Sequence, residues 1–586
     1  MLTAPEGRGD IEKKETERRM KGPVAPKDPT RQRAKIYLML EDLLYTSHKA
    51  PDGERYAEMI FLENRVAQNL QLICPELPEE MGAKLQKSAG FREMVHSIGL
   101  IVDSTDEADR EQEVTCELHH YATTDRYNDG THMVMETCCD GAERVFELSE
   151  FDFREHDDIL GTFFLFSEKK DLRVKVTVIF YLQDGYEVPE PQLDDPIDYE
   201  SDAYREMISH SLVSMGNTHR LRAAMEKAER GEDVTLAFIG GSITQGAGAK
   251  PIETESYCYR VFDHFRNTYA TDPEKVHLVK AGVGGTPSEF GLVRYERDVL
   301  KNGTVQPDIV FIEFSVNDAG DETEGVCFES LVAKAYNQPT MPAVLLVFAV
   351  FMNDWNLQDR LAPIGLHYAI PMVSVKDAVS PQWAKGEGHV ISKRQYFYDC
   401  YHPTNDGHRV MADCINHLLE QSLAHVEVEP KWPKDSYLGR PYENCFTVTR
   451  DTVASFTDCI TVEEGSFTEN DPVTQYAEMD YDAFGTPQFP INWMHVAGNE
   501  PFVIKTTCRN FFLTYKDTGE PDFGTAVVEV DGKPFKEIDP KAIGWTHCNT
   551  YLLVDEEESG EHIIKISLKS GENARKFTIL ALTMTK

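Results

Sequence analysis

From about residue 205 to about residue 425 the chain alternates two kinds of segment. Five near-continuous apolar runs, "VTLAFIGG", "VHLVKAG", "PDIVFIEFSVND", "AVLLVFAVF" and "YAIPMVSVKD", are separated by helical stretches such as "SYCYRVFDHFRNTY" and "TPSEFGLVRYERDVL". A strand without polar alternation is buried on both faces, and helices between such strands make them parallel. The pattern predicts an α/β fold, a parallel sheet with helices on both faces. In such sheets the working residues gather beyond the carboxyl ends of the strands.

The first run ends in "GGSITQG", residues 240–246. A dinucleotide fingerprint needs G-x-G-x-x-G, which Gly240, Gly241, Gly246 and Gly248 do not provide. A phosphate loop needs Lys and Ser or Thr after its last glycine, but Ala247 and Gly248 follow Gly246, and Lys250 comes too late. The lipase elbow G-x-S-x-G fails at Thr244. What remains is Ser242 at a strand end, where the next helix can offer N–H groups to a developing negative charge. A serine there also fits a helix cap.

Three further segments bear on that choice. "KAGVGGTPSEFG" places Gly284 and Gly285 after the second strand, where a backbone N–H can be presented with no side chain in the way. "IEFSVND" ends the third with Asn317, whose amide can donate to an oxyanion. "YDCYHPTNDGHRVMADCINHLLEQ" places Asp399 and His402 just before a helix whose apolar face is Met411, Cys414, Ile415, Leu418 and Leu419. At that spacing Asp399 can orient the imidazole while His402 accepts a serine proton. His408, Asp406 and Glu313 are read as structural.

In that order and at those positions, "GGSITQG", "AGVGGT", "SVND" and "DCYHP" resemble the four blocks of the SGNH (GDSL-type) hydrolases, over roughly residues 220 to 425. The resemblance implies Ser242 as nucleophile, His402 as base and Asp399 as its orienter. It implies an oxyanion hole of the Ser242 N–H, a block-two glycine N–H and the Asn317 side chain. Gly285 rather than Gly284 aligns with the family's donor. No metal or cofactor is implied. Two positions depart from the family's pattern: Gly241 stands where it has aspartate, and Ser315-Val316 replaces the glycine before the asparagine.

The remainder reads as flanking structure. Residues 1–30 are charged and poor in large apolar groups, a disordered tail. Over 31–103 apolar residues recur at three- and four-residue steps, as in "RAKIYLMLEDLLY", predicting a helical segment. Over 104–200 the period is two, predicting an N-terminal β-sandwich with Asp140-Gly141 as a hairpin turn, ending in the linker "EVPEPQLDDPIDYES". His119 and His120, adjacent on a strand, face opposite sides and cannot share a metal. The hydrolase domain is assigned to 201–427. Period-two segments over 428–586, with a hairpin at Asp531-Gly532, predict a second, carbohydrate-binding-like sandwich.

The formal net charge of −40 disfavours nucleic acid and anionic membranes as partners but does not repel a neutral sugar chain. No apolar run reaches the roughly 18 residues of a membrane span, and the start lacks the apolar core of a secretory signal, so a cytoplasmic location is expected. The twelve cysteines show no paired C-x-x-C spacing for zinc, and the adjacent Cys138 and Cys139 are read as strand-end residues. The chain resembles multidomain bacterial esterases that remove acetyl groups from mannan or xylan. That resemblance implies an acetylated oligosaccharide as substrate, with Trp545, Trp355 and Trp383 as candidates to stack on sugar rings. An acyl-ester or lysophospholipid hydrolase and a non-catalytic carbohydrate-binding protein stay open, as does a homo-oligomer.

Overall fold

The computed structural model of the chain describes residues 20–21, 33–50, 52–60, 65–126, 128–191, 193–424, 427–429, 431–477 and 485–586. The tail expected over 1–30 lies outside these residues except for the short strand Met20–Lys21. The chain divides into two compact units, Met1–Ile197 with Ile391–Gly407, and Asp198–Val390 with His408–Lys586. The hydrolase segment expected as one block over 201–427 is thus shared, because 391–407 groups with the amino-terminal residues. Arg394 Nε there donates to Asp194 at 2.9 Å and Gln395 Nε2 to the Asp195 carbonyl at 2.7 Å.

Beside the two-stranded pair Met20–Lys21 with Asp152–Phe153, the first unit contains two larger antiparallel sheets. One has five strands, in the order His48–Lys49, Tyr56–Ile60, Asp157–Ser167, Glu113–Ala122 and His132–Cys138. The other has four, Lys35–Thr46, Leu172–Leu182, Val95–Ser104 and Arg144–Glu147. Both feed one core, with Leu38, Ile98, Leu100 and Val176 from the second and Cys116, Leu118, Met133 and Phe163 from the first.

The helical segment expected over 31–103 is therefore corrected. Among its described residues only Val66–Ile73, Glu79–Gln86 and Ser88–Met94 are helices, and the others are largely strand. The misleading period has a cause. Lys35–Thr46 carries two bulges against Leu172–Leu182, Val176 and Val178 facing Asp42 and Met39, and Ile179 facing Tyr37. Each bulge inserts one residue, and Glu41 takes a left-handed φ of 57°. Alternation slips there, and apolar residues fall at helix-like steps. The expected hairpin at Asp140-Gly141 is also corrected, because its flanking strands His132–Cys138 and Arg144–Glu147 belong to different sheets. The Asp140 carboxylate accepts the Ala142 N–H at 2.9 Å and pairs with Arg144 at 2.7 Å, shaping a turn that crosses between layers.

The larger unit holds the predicted parallel sheet. Its strand order is Leu212–Ser214, Met372–Ser374, Ala343–Phe348, Ile309–Glu313, Val234–Gly240 and Val276–Gly282, antiparallel only at the first. Ala237, Ile239, Val310, Ile312, Val344 and Leu346 face one helical layer, which includes Leu292, Leu331 and Leu361. On the opposite face Phe238 stacks on Phe311 with centroids 4.2 Å apart and meets Tyr257, which opens the helix Tyr257–Thr268. Val234–Gly240 lies between Val276–Gly282 and Ile309–Glu313. The connections leave it in opposite directions, so a switch point opens at its carboxyl end, where such folds bind ligands.

After residue 440 a sandwich of two sheets was expected, but apart from the short pair Tyr476–Ala477 with Thr486–Pro487 the strands belong to one eight-stranded sheet. Its longest members, Phe502–Asp517 and His547–Leu568, carry register shifts: Cys508 faces Gly560 while Asn510 faces Asp555. The three extra residues let the long strands bend, and the sheet encloses its own core of Ile504, Leu513, Val528, Ile566, Phe577 and Leu582. The hairpin at Asp531-Gly532 is present, with Val530 facing Lys533 and left-handed φ values of 52° and 72°.

Candidate active site

In the larger unit three blocks converge at the switch point. Ser242 opens the four-residue helix Ser242–Gln245 directly after the central strand, and Gly246 ends it with φ 103°. Neither preceding residue has room for a side chain. A Cβ at Gly240 would collide with Thr244 Oγ1 and the Glu313 carbonyl, and one at Gly241 would collide with Asn317 Oδ1. The close approach accounts for the glycine at 241: the Asn317 amide occupies the space that a side chain would need. Its Oδ1 is buried and has no hydrogen-bond partner among the described residues. The turn carrying Asn317 is tied to the second block, since the Asp318 carboxylate accepts the Ser288 N–H at 2.7 Å and its hydroxyl at 2.9 Å. Burial, with Asp321 nearby, pushes the Asp318 carboxyl well above the usual range.

The second block sits against Ser242. A Cβ at Gly284 would stand 3.7 Å from Ser242 Cβ. Gly285 has φ 71°, and a Cβ there would stand 3.0 Å from Trp545 Cζ2 and 3.2 Å from His547 Nε2. The carboxyl-terminal sheet therefore reaches this loop. Gln475 Nε2 donates to the Gly284 carbonyl at 2.6 Å, its Oε1 accepts the Cys548 N–H at 2.9 Å, and Gln245 Nε2 donates to the Tyr476 carbonyl at 3.1 Å. Burial lowers His547 to about 4, which keeps a neutral ring beside Gly285. Sequence reasoning missed Gln475 and His547, for nothing in their local pattern points to a loop 191 and 262 positions earlier.

Beneath the Ser242 turn lies Glu313, fully buried. It accepts the Thr244 hydroxyl at 3.2 Å, and Thr244 Oγ1 also meets the Tyr257 hydroxyl at 2.8 Å. Burial raises its carboxyl to about 7, partly offset by Thr244 and the Gly241 N–H. His408 is likewise structural, its Nδ1 accepting the Tyr257 N–H at 3.2 Å and its Nε2 lying 3.1 Å from the Ala247 carbonyl oxygen. Of the three tryptophans, Trp545 stands at Gly285 with 44% of its surface exposed. Trp355 stacks on Phe351 at 5.8 Å, and Trp383 closes the helix Val375–Trp383.

In the first unit Asp399 and His402 form an ordered pair. Asp399 is 1% exposed. Its Oδ1 accepts the backbone N–H groups of Tyr401 and His402, each at 2.8 Å, and its Oδ2 lies 2.9 Å from His402 Nδ1. With Nδ1 donating, the neutral ring carries its lone pair on Nε2, the arrangement of a base held by a carboxylate. Arg65 Nη1 donates to the same Oδ2 at 3.0 Å. Burial alone would raise the Asp399 carboxyl, but His402, Arg65 and the Tyr401 N–H hold it at about 2. Arg65 comes from a stretch that sequence reasoning assigned no role.

One group of described residues has metal-ligand chemistry: Glu117, His119 and His132, with ligand atoms within 4.8 Å of one another. The two rings stack at 3.8 Å with planes 11° apart. Lone pairs lie in the ring planes, so from near-parallel planes they do not converge on one ion. His120 faces the other side of the sheet and bonds Ser88 Oγ at 2.6 Å.

Residues 238–410 match the GDSL-like lipase/acylhydrolase family. Among solved structures, a two-domain esterase active on acetylated mannans aligns at 26% identity and a TM-score of 0.54, over 65% of this chain and 99% of its own. A second such structure, co-crystallised with mannopentaose, aligns with the same values, 26% identity and a TM-score of 0.54. Among curated proteins no sequence matches the chain. No helix among the described residues is long and apolar enough to cross a membrane.

Proposed function

Residues 238–410 are a domain of the GDSL-like lipase/acylhydrolase family, and from that premise we propose that this chain is a serine esterase removing O-acetyl groups from mannan- or xylan-type oligosaccharides. Ser242 Oγ attacks the acetyl carbonyl carbon while His402 Nε2 takes its proton. The bond to the sugar oxygen then breaks, and that oxygen leaves with the proton from His402. Water, giving a proton to His402, attacks the acetyl-serine, and acetate departs as Ser242 recovers its proton. Asp399 holds the imidazole and balances its charge. The Ser242 and Gly285 N–H groups and the Asn317 amide receive the negative oxygen of each tetrahedral intermediate.

The observation that carries the sugar reading is the indole of Trp545. It lies against Gly285 and is only partly covered, as a surface that stacks on a pyranose ring beside the reacting acetyl group must be. The likeness to an esterase active on acetylated mannans supports the same substrate class. The twelve unbridged cysteines support a reducing, cytoplasmic setting and imported oligosaccharides rather than intact polymer.

The test is acetate release from acetylated mannan and xylan oligosaccharides, wild type beside Ser242→Ala, with long-chain acyl esters as competitors. Release by wild type, abolished in Ser242→Ala, is expected. Preference for long acyl chains would replace the sugar reading with a lipid one. Sugar binding without acetate release would make the chain a binding protein.

A further inference from the structure

Within the first unit the Asp399 carboxylate receives four donors, and one comes from far away in the chain. The N–H groups of Tyr401 and His402 occupy Oδ1, and His402 Nδ1 and Arg65 Nη1 share Oδ2 at 2.9 and 3.0 Å. Arg65 lies 334 positions before Asp399. We propose that Arg65 is a positioning residue for the esterase reaction, holding the Asp399 carboxylate in the plane and charge state that orient His402. The proposal rests on the assignment of His402 as base made above.

Three features make Arg65 more than a surface counter-ion. Its acceptor is almost fully buried while its own side chain is 28% exposed, so the pair is desolvated on the carboxylate side. An exposed pair contributes little, but a buried carboxylate that loses its cation either takes up a proton or turns toward water. Either change would release the His402 ring. Second, the guanidinium is held from two sides. Its central carbon lies 4.3 Å from the centre of the Tyr401 ring, and Arg65 immediately precedes the helix Val66–Ile73. Val66 and Leu70 of that helix are fully buried in the core that also takes Tyr398. Third, a guanidinium is planar and directional, so it fixes an oxygen's position as an ammonium group does not. The titratable groups around the carboxylate are Arg65, His402, Cys400 and Tyr401. Burial raises the last two, so both stay neutral at working pH. Arg65 is thus the fixed cation of the cluster.

This gives the first unit a part in catalysis. The unit that carries the base also supplies, from a separate stretch of chain, the cation that steadies it.

The experiment uses the full chain and a small acetyl ester, with wild type, Arg65→Met, Arg65→Lys and His402→Ala measured for kcat, KM, melting temperature and pH profile. Arg65→Met is expected to lower kcat about tenfold with KM within about twofold, since alignment rather than ester binding is disturbed. The acid limb of its kcat/KM profile should move to lower pH, because a carboxylate that is protonated or turned away no longer stabilises the imidazolium. Arg65→Lys should recover part of kcat and return the limb. Wild-type kcat and profile in Arg65→Met, with His402→Ala inactive, would overturn the role of Arg65 alone. A fall in kcat matched by a fall in melting temperature, with the limb unmoved, would make Arg65 merely structural and overturn it too. Full activity in His402→Ala would remove the base assignment and this role together.

Discussion

Replacing Glu313 by glutamine should remove a pH-dependent penalty on the folded state. Burial raises this carboxyl from 4.5 to about 7, and its Oε1 has no hydrogen-bond partner among the described residues. In the unfolded chain the proton is lost around pH 4.5, whereas in the folded protein it is kept until about pH 7. Between those values the folded state binds more protons than the unfolded one, so wild-type stability falls as pH rises through the window and is level above it. Below the window both states are protonated, and Glu313 contributes no slope. The gap corresponds to a loss on the order of 3 kcal/mol. Glutamine cannot ionise, yet its amide oxygen can still accept from Thr244 and Gly241. The assay is the urea midpoint of wild type and Glu313→Gln at several values from about pH 4.5 to about pH 8, converted with a common slope. The advantage of the variant should grow with pH and then level off above about pH 7. A difference that is flat across the range, or that grows toward acid, would refute the placement of a raised, proton-holding carboxyl beneath the nucleophile turn.

Gly241→Ala should strike turnover rather than folding. The new methyl group would displace the Asn317 amide, and kcat on a small acetyl ester should drop about 100-fold, close to the loss in Asn317→Ala, with an unchanged circular dichroism spectrum. Trp545→Ala should raise KM for acetylated oligosaccharides about tenfold and leave KM for a small acetyl ester untouched. Equal effects on both substrates would show that the indole supports the Gly285 loop rather than the sugar.

What was legible in the sequence, and what was not, divides by the range of the interaction responsible. The parallel sheet could be read because each strand and each helix carries its own pattern. The residues at the strand ends could be read because they stand in short blocks at the ends of patterned strands, whose order resembles the SGNH hydrolases; the fit of Gly241 against Asn317 itself spans 76 positions and shows only in the structure. The Asp399–His402 pair is local, only three positions apart. Arg65 on Asp399 and Gln475 on Gly284 are joined across 334 and 191 positions. Neither carries a signature of its own, since an arginine before a helix and a glutamine in a loop are ordinary residues. The misread stretch over 31–103 failed for a different reason. Period reports secondary structure only while the pairing register is constant, and the two bulges in Lys35–Thr46 change it twice within twelve residues. A bulged strand and an amphipathic helix then present the same apolar spacing. The distinction lies in the partner strand Leu172–Leu182, more than a hundred residues further on, whose β-branched valines alternate cleanly and give no helical signal. Reading the two segments as a pair would have recovered the sheet that neither segment specifies alone.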